Sequence, residues 1–303
     1  MLNGVLNIYK EKSYTSHDVV AKMRGILKQK KIGHTGTLDP DAEGVLPVCL
    51  GQATKLCDLL VDHRKIYRAV LLLGTETDTQ DISGAILREM PVACSEIQVK
   101  EAILGFKGNY DQIPPMYSAL KVDGKKLYEL ARQGKVVERK ARPVVIYDIT
   151  VEKMELPRVT MTVTCSKGTY IRTLCHDIGQ KLGCGGCMEG LVRTQTGQFE
   201  IGQSVTLSQL EAMWDEGRVK EILISVEEIF SKYPAVLTRR EADRLAWNGN
   251  PVKTENVDME EVLTLPMKEG AKVRLYDSEK RFIGSYELSE DGQSLKVWKM
   301  FRE

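Results

Sequence analysis

The sequence predicts an α+β protein: a core on a largely antiparallel mixed sheet flanked by helices, then a small carboxyl-terminal β-rich module. Three observations predict it. Strand-like and helix-like stretches are mixed along the chain without the regular βαβ alternation of a parallel sheet. Residues 143–155 and 159–165 are long strand candidates in the middle of the chain. Beyond Tyr233-Pro234 the character changes, and short β runs follow at 272–276, 281–288 and 295–299. At 303 residues, one large or two ordinary domains are expected. The division falls between 1–232 and 233–303.

Ser16 to Lys31 reads as an amphipathic helix. Ser16 is placed to cap it, Asp18 suits the positive end of its dipole, and Val19, Val20, Met23, Ile26 and Leu27 recur at helical spacing. A glycine-rich loop follows directly. Val45 to Leu50 is then a short buried strand, and Ala53 to His63 a helix with Leu56, Leu59 and Leu60 inward. Residues 65–73 are apolar and rich in strand formers, which sets Tyr67 on a strand. Ser95 and Gln98 make a capping box for a helix reaching Phe106. After the long strands, Gly168 turns the chain into a helix, Tyr170 to Leu182, which Gly183 ends. Helices at 207–216 and 225–230 close the main body. In the last module a capped helix starts at Thr238, with Glu241 as its box partner, and ends near Gly249. No internal repeat or low-complexity segment is evident.

An apolar content of 42% and a charged content of 28% are those of a soluble globular protein. No apolar run approaches the ~20 residues of a membrane helix, and Met1 to Lys12 lacks the layout of a secretion signal. A cytoplasmic protein without membrane association is therefore expected. Seven cysteines, an odd number set mostly in apolar patterns, point to reduced thiols rather than a disulfide framework. Cys184 and Cys187 form a CxxC pair, but a structural zinc would want a second pair or histidines at ligand spacing. Cys175 and His176 nearby fit no such pattern, so the pair reads as a glycine-rich turn with two thiols. The net charge of +1 is unevenly spread. Residues 22–31, from Lys22 to Lys31, carry +5 with no acid; residues 121–142 carry a net +5; acids gather elsewhere, as at 255–261. Such basic faces suit phosphate, although each alone is also what a solvated helix face looks like.

The most informative stretch is Gly33-His34-Thr35-Gly36-Thr37-Leu38-Asp39-Pro40, continuing to Gly44-Val45-Leu46-Pro47. It sets an imidazole and a carboxylate five residues apart in a turn stiffened by glycine and proline, which aims Asp39. On its chemistry alone it could equally be a β-turn with a solvated Asp. The stretch resembles the catalytic motif of the TruB family, the tRNA pseudouridine(55) synthases. Four further segments agree in the family's order. They are Lys65-Ile66-Tyr67-Arg68-Ala69 leading to Leu73-Gly74; Thr77-Asp78-Thr79-Gln80-Asp81 with Gly84; Gln112-Ile113-Pro114-Pro115-Met116-Tyr117-Ser118-Ala119; and Ser166-Lys167-Gly168-Thr169-Tyr170-Ile171-Arg172-Thr173-Leu174.

The resemblance implies a pseudouridine synthase core with a PUA-like RNA-binding domain after it. It implies Asp39 as the catalytic aspartate, Arg172 as the arginine that pairs with it or with a second acid, and Asp81 as that acid. Tyr67 matches the tyrosine that stacks on the target base and has been proposed to help remove the C5 proton. Tyr170 matches an aromatic lining the site, and Leu191 an apolar contact below the base. His34 matches the histidine that fills the space left when the target nucleotide is flipped out. Residues 22–31 and 121–142 are candidates for gripping a folded RNA arm by its phosphates. Cys187 departs from the pattern, standing where the family commonly has a histidine.

The implied reaction moves a base from N1 to C5 attachment without gaining electrons or importing a group. No nucleotide cofactor and no metal is expected, and the chain has no GxGxxG, Walker or HExxH pattern. The expected substrate is the T-arm of tRNA, at uridine 55, without a guide RNA or an obligatory protein partner, because long basic tails are absent. A monomer is expected. The alternative is a non-catalytic RNA-binding or tRNA-folding module, which would have no need of Asp39, Tyr67 and Arg172 together. A zinc-dependent base-modifying enzyme using Cys184 and Cys187 is a weaker rival.

Overall fold

The structure, a computed structural model, describes residues 1–61, 64–122, 124–258 and 270–301. The chain opens with β1 (Gly4–Lys10), α1 (Ser16–Ile26), β2 (Ile32–His34) and β3 (Glu43–Leu50). A 3₁₀ turn leads to α2 (Cys57–Val61) and β4 (Lys65–Leu73). The hairpin of β5 (Thr75–Thr77) and β6 (Ile86–Glu89) precedes α3 (Glu96–Leu104) and β7 (Gly108–Gln112). Then come the small ribbon β8 (Lys121–Val122) and β9 (Lys125–Lys126), α4 (Leu127–Arg132), and the long hairpin β10 (Arg142–Glu155) and β11 (Arg158–Cys165). The first body ends with α5 (Ile171–Leu182), β12 (Gly186–Thr196), β13 (Phe199–Glu200), α6 (Leu207–Asp215) and α7 (Val226–Ile229). The last part holds β14 (Ala235–Thr238), α8 (Asp243–Trp247), β15 (Val252–Lys253), β16 (Val257–Asp258), β17 (Lys272–Tyr276), β18 (Phe282–Leu288) and β19 (Ser294–Met300).

Among the described residues the main sheet runs β1-β3-β12-β4-β11-β10-β7, with β2 joined to β3 and β13 to β12. Every pairing in it is antiparallel except that of β12 with β3. The α+β expectation with a mostly antiparallel mixed sheet therefore holds. In β4 the side chains alternate, and Tyr67, Ala69, Leu71 and Leu73 are buried while Arg68 faces water. These residues join Val163, Leu174, Cys175, Ile178 and Ile103 in one core, so α3 and α5 cover the centre of the sheet. A second core, under β1 and β3, is built with α1 and α6 from Leu6, Ile8, Val20, Met23, Leu46 and Leu210. Burying a side chain of this size stabilises the fold by about 1.5–3 kcal/mol.

Local rules account for most ends. Ser95 and Gln98 cap α3 reciprocally, and α5 ends at Gly183 with φ +73°, a left-handed angle that glycine adopts without strain. Two helices differ from expectation. The cap of α1 is Thr15, whose side chain accepts from the Asp18 N–H, while the Ser16 hydroxyl is drawn away to the Leu38 backbone. That helix stops at Ile26, and Lys28, at φ +50°, starts the turn into β2. Thr238 ends a strand rather than capping a helix; its hydroxyl bonds to Asp243, and α8 has no side-chain cap. Strands β1, β2, β5 to β9 and β13 to β16 had no counterpart among the expected elements. The His63 end of the predicted second helix, the acids after residue 258, and Asp123 lie outside the described residues.

The second sheet runs β15-β19-β18-β17-β14-β16. It meets the first body through an aromatic cluster in which Phe230 and Tyr233 pack against Trp298, and Phe230 also against Phe282 and Phe301. The Tyr276 hydroxyl donates to Glu227 at 2.7 Å across the same junction.

Helix α5, which carries Arg172, is seated by backbone contact rather than side chains. A Cβ on Gly179 would lie 2.2 Å from the Gly185 carbonyl carbon and the Gly186 nitrogen. Gly179→Ala is therefore expected to destabilise the protein by about 1–3 kcal/mol or more. A fall in the urea midpoint at unchanged slope would register it; an unchanged midpoint would mean the helix has room to shift.

Candidate active site

The loop between β2 and β3 carries Asp39, and the loop is strapped on several sides. Thr35 N–H donates to the Pro47 carbonyl at 3.0 Å, and Ala42 N–H to the Asp39 carbonyl at 3.1 Å. Leu38 is buried, and its N–H donates to Ser16 Oγ at 2.9 Å. The Pro40 carbonyl accepts from Ser13 N–H and from the buried Lys10 Nζ, both at 3.0 Å. Arg193 Nη2 donates to the Gly36 carbonyl at 3.2 Å, and Arg193 Nε to the Val45 carbonyl at 2.7 Å. Gly44, at φ +103°, lets the loop run back along β12; a Cβ there would fall 2.2 Å from the Arg193 carbonyl oxygen. Asp39 is aimed by these straps, not left to solvent.

Opposite the loop, Gln112 fixes the start of α5 with two hydrogen bonds, accepting from Tyr170 N–H at 2.8 Å and donating to its carbonyl at 2.9 Å. Arg172 then reaches Asp39 (Nη2–Oδ1 3.2 Å), Asp81 (Nη1–Oδ2 3.6 Å) and the Tyr117 carbonyl (2.9 Å). Its side chain is 7% exposed, that of Asp81 15% and that of Asp39 37%, so Asp39 is the member open to an incoming molecule. Asp81 is held by Thr79 Oγ1 at 2.8 Å and by Ser83 N–H at 3.0 Å. Its loop docks on β12 through Met188 N–H to the Gln80 carbonyl and Ile82 N–H to the Met188 carbonyl. A guanidinium this deep needs charged partners, and removing one from such a set costs about 3–5 kcal/mol.

Burial pushes the Asp39 carboxyl above the ordinary aspartate value; Arg172 pulls it back, and the Asp81 carboxylate pushes the same way as burial. Tyr67 is buried on β4 directly across from Arg193 on β12. Burial raises its phenol, and the Arg193 charge and hydrogen bond work against that rise. Tyr170 is half-buried at the start of α5, with its ring centroid 5.9 Å from the Arg172 guanidinium carbon. Both tyrosines lie within electrostatic reach of Asp39. Leu191, buried in the same core as Tyr67, sits opposite Ala69. Arg172 thus ties Asp39 to Asp81, Tyr67 and Tyr170 lie within electrostatic reach of Asp39, and Leu191 packs in the core that holds Tyr67: a carboxylate with an arginine behind it, and rings and an apolar side chain nearby. His34 ends β2 at the entrance to the Asp39 loop, edge-on to His17 at 5.3 Å between centroids. Burial lowers its pKa, which favours a neutral imidazole.

Lys22 and Lys31 lie elsewhere. Lys22 stands over the Tyr14 ring and lines a groove of about 590 Å³ between α1 and α6 with Trp214. Lys31 is exposed just ahead of β2. In the second basic stretch Lys121, Lys125, Arg132, Lys135, Lys140 and Arg142 are exposed, on a segment joined to the site by Tyr117. Lys10, Ser16, Gln112, Tyr117 and Arg193 were not among the expected site residues. Gln112 and Tyr117 do lie in a segment that agrees with the family, and Arg193 is a charge two residues past Leu191, on the same inward face of a strand.

All seven cysteines are free thiols. Cys184 neighbours Cys94, whereas Cys187 neighbours Cys175 and is buried within β12 rather than in a turn. Among the described residues, no three or more His, Cys, Asp or Glu side chains are grouped to hold a metal ion. Nor is any described helix long and apolar enough to cross a membrane.

Comparison with known proteins places the chain. Residues 24–171 match the family model described as TruB family pseudouridylate synthase (N terminal domain), and residues 172–231 that of the tRNA pseudouridylate synthase B C-terminal domain. A protein of Lachnoclostridium phytofermentans named tRNA pseudouridine synthase B is 50% identical, over 99% of this chain and 100% of its own. One of the same name from Alkaliphilus oremlandii is 44% identical, over 99% and 98%. Among solved structures, a Cbf5-Nop10-Gar1 complex contains a chain similar at TM-score 0.74 and 27% identity, covering 99% of this chain and 85% of its own. An H/ACA RNP bound to a substrate RNA containing 2′-deoxyuridine gives TM-score 0.74 at 25% identity, with the same coverage.

The opposed effects at Asp39 can be separated by titration. A carboxyl carbon signal assigned to Asp39 should titrate above the ordinary aspartate range, and Arg172→Gln should move its midpoint to higher pH. The sign follows because the lost cation had favoured the ionised form. A midpoint that stays put in the variant would mean the guanidinium does not act on Asp39.

Proposed function

The chain belongs to the TruB family of pseudouridylate synthases, and we propose that it isomerises uridine 55 in the T-loop of tRNA, with Asp39 as the catalytic carboxylate. The enzyme is an isomerase. The observation that carries the reading of the site is the Asp39–Arg172–Asp81 set, with Tyr170 beside Arg172 and Tyr67 within electrostatic reach of Asp39. In the reaction the bond from ribose C1′ to N1 breaks, the base turns over, C5 bonds to C1′, and the C5 proton is lost. An ionised carboxylate can attack the sugar or base, or stabilise a cationic sugar. Arg172 favours the ionised form of Asp39 and partly offsets the rise that burial imposes.

A stacked uridine cannot reach Asp39, so the nucleotide is flipped out of its stack, at a cost of a few kcal/mol. Tyr67 stacks on the flipped base, Tyr170 lines its pocket, Leu191 lies beneath it, and His34 takes the space it vacates. Asp81 acts through Arg172. Lys22, Lys31 and the 121–142 segment grip phosphates of the folded arm, and recognition there is by shape, with loop bases read directly. Residues 1–232 are the catalytic domain, and residues 233–303 a PUA-like RNA-binding domain. The protein acts as a monomer in the cytoplasm, without guide RNA or a protein partner.

Tritium release from unmodified tRNA labelled with [5-³H]uridine tests this reading. Wild type should release label, and Asp39→Asn should lose release by roughly 10³-fold or more while still retaining tRNA. No release by wild type with tRNA still bound would leave an RNA-binding module. Equal release by both would remove Asp39 from the chemistry.

A further inference from the structure

Helix α5 and the loop after β5 meet through two neighbouring pairs of residues. Thr173 Oγ1 donates to Gln80 Oε1 at 2.6 Å, while Arg172 Nη1 stands 3.6 Å from Asp81 Oδ2. The first contact is a short hydrogen bond. The second lies well beyond the about 2.7–2.9 Å at which a guanidinium and a carboxylate bond. Both charges have reason to close that gap. Arg172 Nε is buried and has no hydrogen-bond partner among the described residues. Asp81 spends Oδ1 on the donors of its own loop, Thr79 and Ser83, which leaves Oδ2 toward the arginine. Something other than their mutual attraction therefore sets the distance.

Gln80 is placed to set it. At φ +66° it holds a left-handed conformation that glycine adopts without strain and glutamine does not. Its N–H donates to the Thr77 carbonyl at 3.2 Å and its carbonyl accepts from Met188 N–H at 3.0 Å. With the backbone pinned to β5 and β12, only the side chain is left to reach the helix. Thr173 is 1% exposed, and a helical threonine commonly turns its hydroxyl to the carbonyl one turn back; here the hydroxyl turns to the loop instead.

We propose that Gln80 and Thr173 are positioning residues that hold Asp81 at a stand-off from Arg172, so that the guanidinium stays shared with Asp39. The proposal rests on the pseudouridine synthase reading with Asp39 as its carboxylate. Arg172 Nη2 lies 3.2 Å from Asp39, the closer of its two carboxylate contacts. A carboxylate that reached the guanidinium fully would take two parallel donors at once. Asp81 at contact would thus draw the arginine away from Asp39. Asp39 is also faced by Lys10 of β1, by Asp41 of its own loop and by the Tyr67 and Tyr170 phenols. None of these four takes part in the Gln80–Thr173 link, so breaking the link acts on Asp39 through Arg172 and Asp81.

Two variants break it. Thr173→Val keeps the shape and removes the hydroxyl; Gln80→Gly removes the side chain where glycine suits the backbone. The readouts are the titration midpoint of the Asp39 carboxyl carbon signal and single-turnover tritium release from [5-³H]uridine-labelled tRNA. Both variants should raise the midpoint, toward that of Arg172→Gln, and slow release by up to roughly 10²-fold with tRNA affinity unchanged. Thr173→Ser, which restores the hydroxyl, should recover both readouts. A link that merely kept the loop in place would, once broken, let Asp81 swing away; the negative charge near Asp39 would then be lost and the midpoint would fall. A midpoint that falls or stays put overturns the proposal. So does slowed release that merely follows tRNA affinity. Should Thr173→Val fail to fold, Gln80→Gly carries the same comparison. Absence of release by wild type would instead overturn the function itself, and the Asp39 midpoints would still judge the stand-off.

Discussion

The Arg172 guanidinium joins three stretches of chain that are distant in sequence. Its two terminal nitrogens reach the Asp39 loop, the Asp81 loop and the Tyr117 backbone. A buried arginine cut off from its carboxylates would be costly, so the Asp39 and Asp81 loops are held where the cation needs them. The supports are ranked accordingly. Gln112 sets the start of α5, Gly179 lets that helix sit directly on β12, and Met188 on β12 holds the Asp81 loop. The geometry of one cation is thus written into a helix, two loops and a strand.

A second tier of buried cations works on the loop from beneath. Lys10 and Arg193 bind carbonyl oxygens at its two ends, Pro40 and Gly36, rather than the Asp39 carboxylate. Burial lowers the Lys10 ammonium to about 8, against the pull of Glu43, Asp39 and Asp41. Division of labour follows from geometry: one guanidinium faces the carboxylate, and the others face the backbone that aims it.

Elements governed by their own periodicity or caps were legible in the sequence. The long strands at 142–155 and 158–165, the Ser95–Gln98 box, and Gly183 at the end of α5 all follow from neighbours within a few residues. What failed depended on partners far away. Ser16 looks like a helix cap until Leu38 arrives from across the fold, and Thr238 looks like one until its strand pairs with β16 and β17. Strands β5 and β7 are short and largely polar, so they carry no apolar alternation to read. The site residues were legible only through motif resemblance. Lys10 sits at the end of an apolar strand, where nothing local distinguishes a buried lysine from a solvated one.

The parallel pairing of β3 with β12 has a consequence for biosynthesis. Asp39 and Arg172 are separated by 133 positions, and Arg193 and Val45 by 148. Contacts of such separation form late, after the chain between them has condensed. A nascent chain emerging from the ribosome therefore displays the Asp39 loop long before α5 and β12 exist to hold it. Until then Asp39 has its local straps but neither its arginine nor the two hydrogen bonds from Arg193, so a half-made chain holds the loop without the cation behind it.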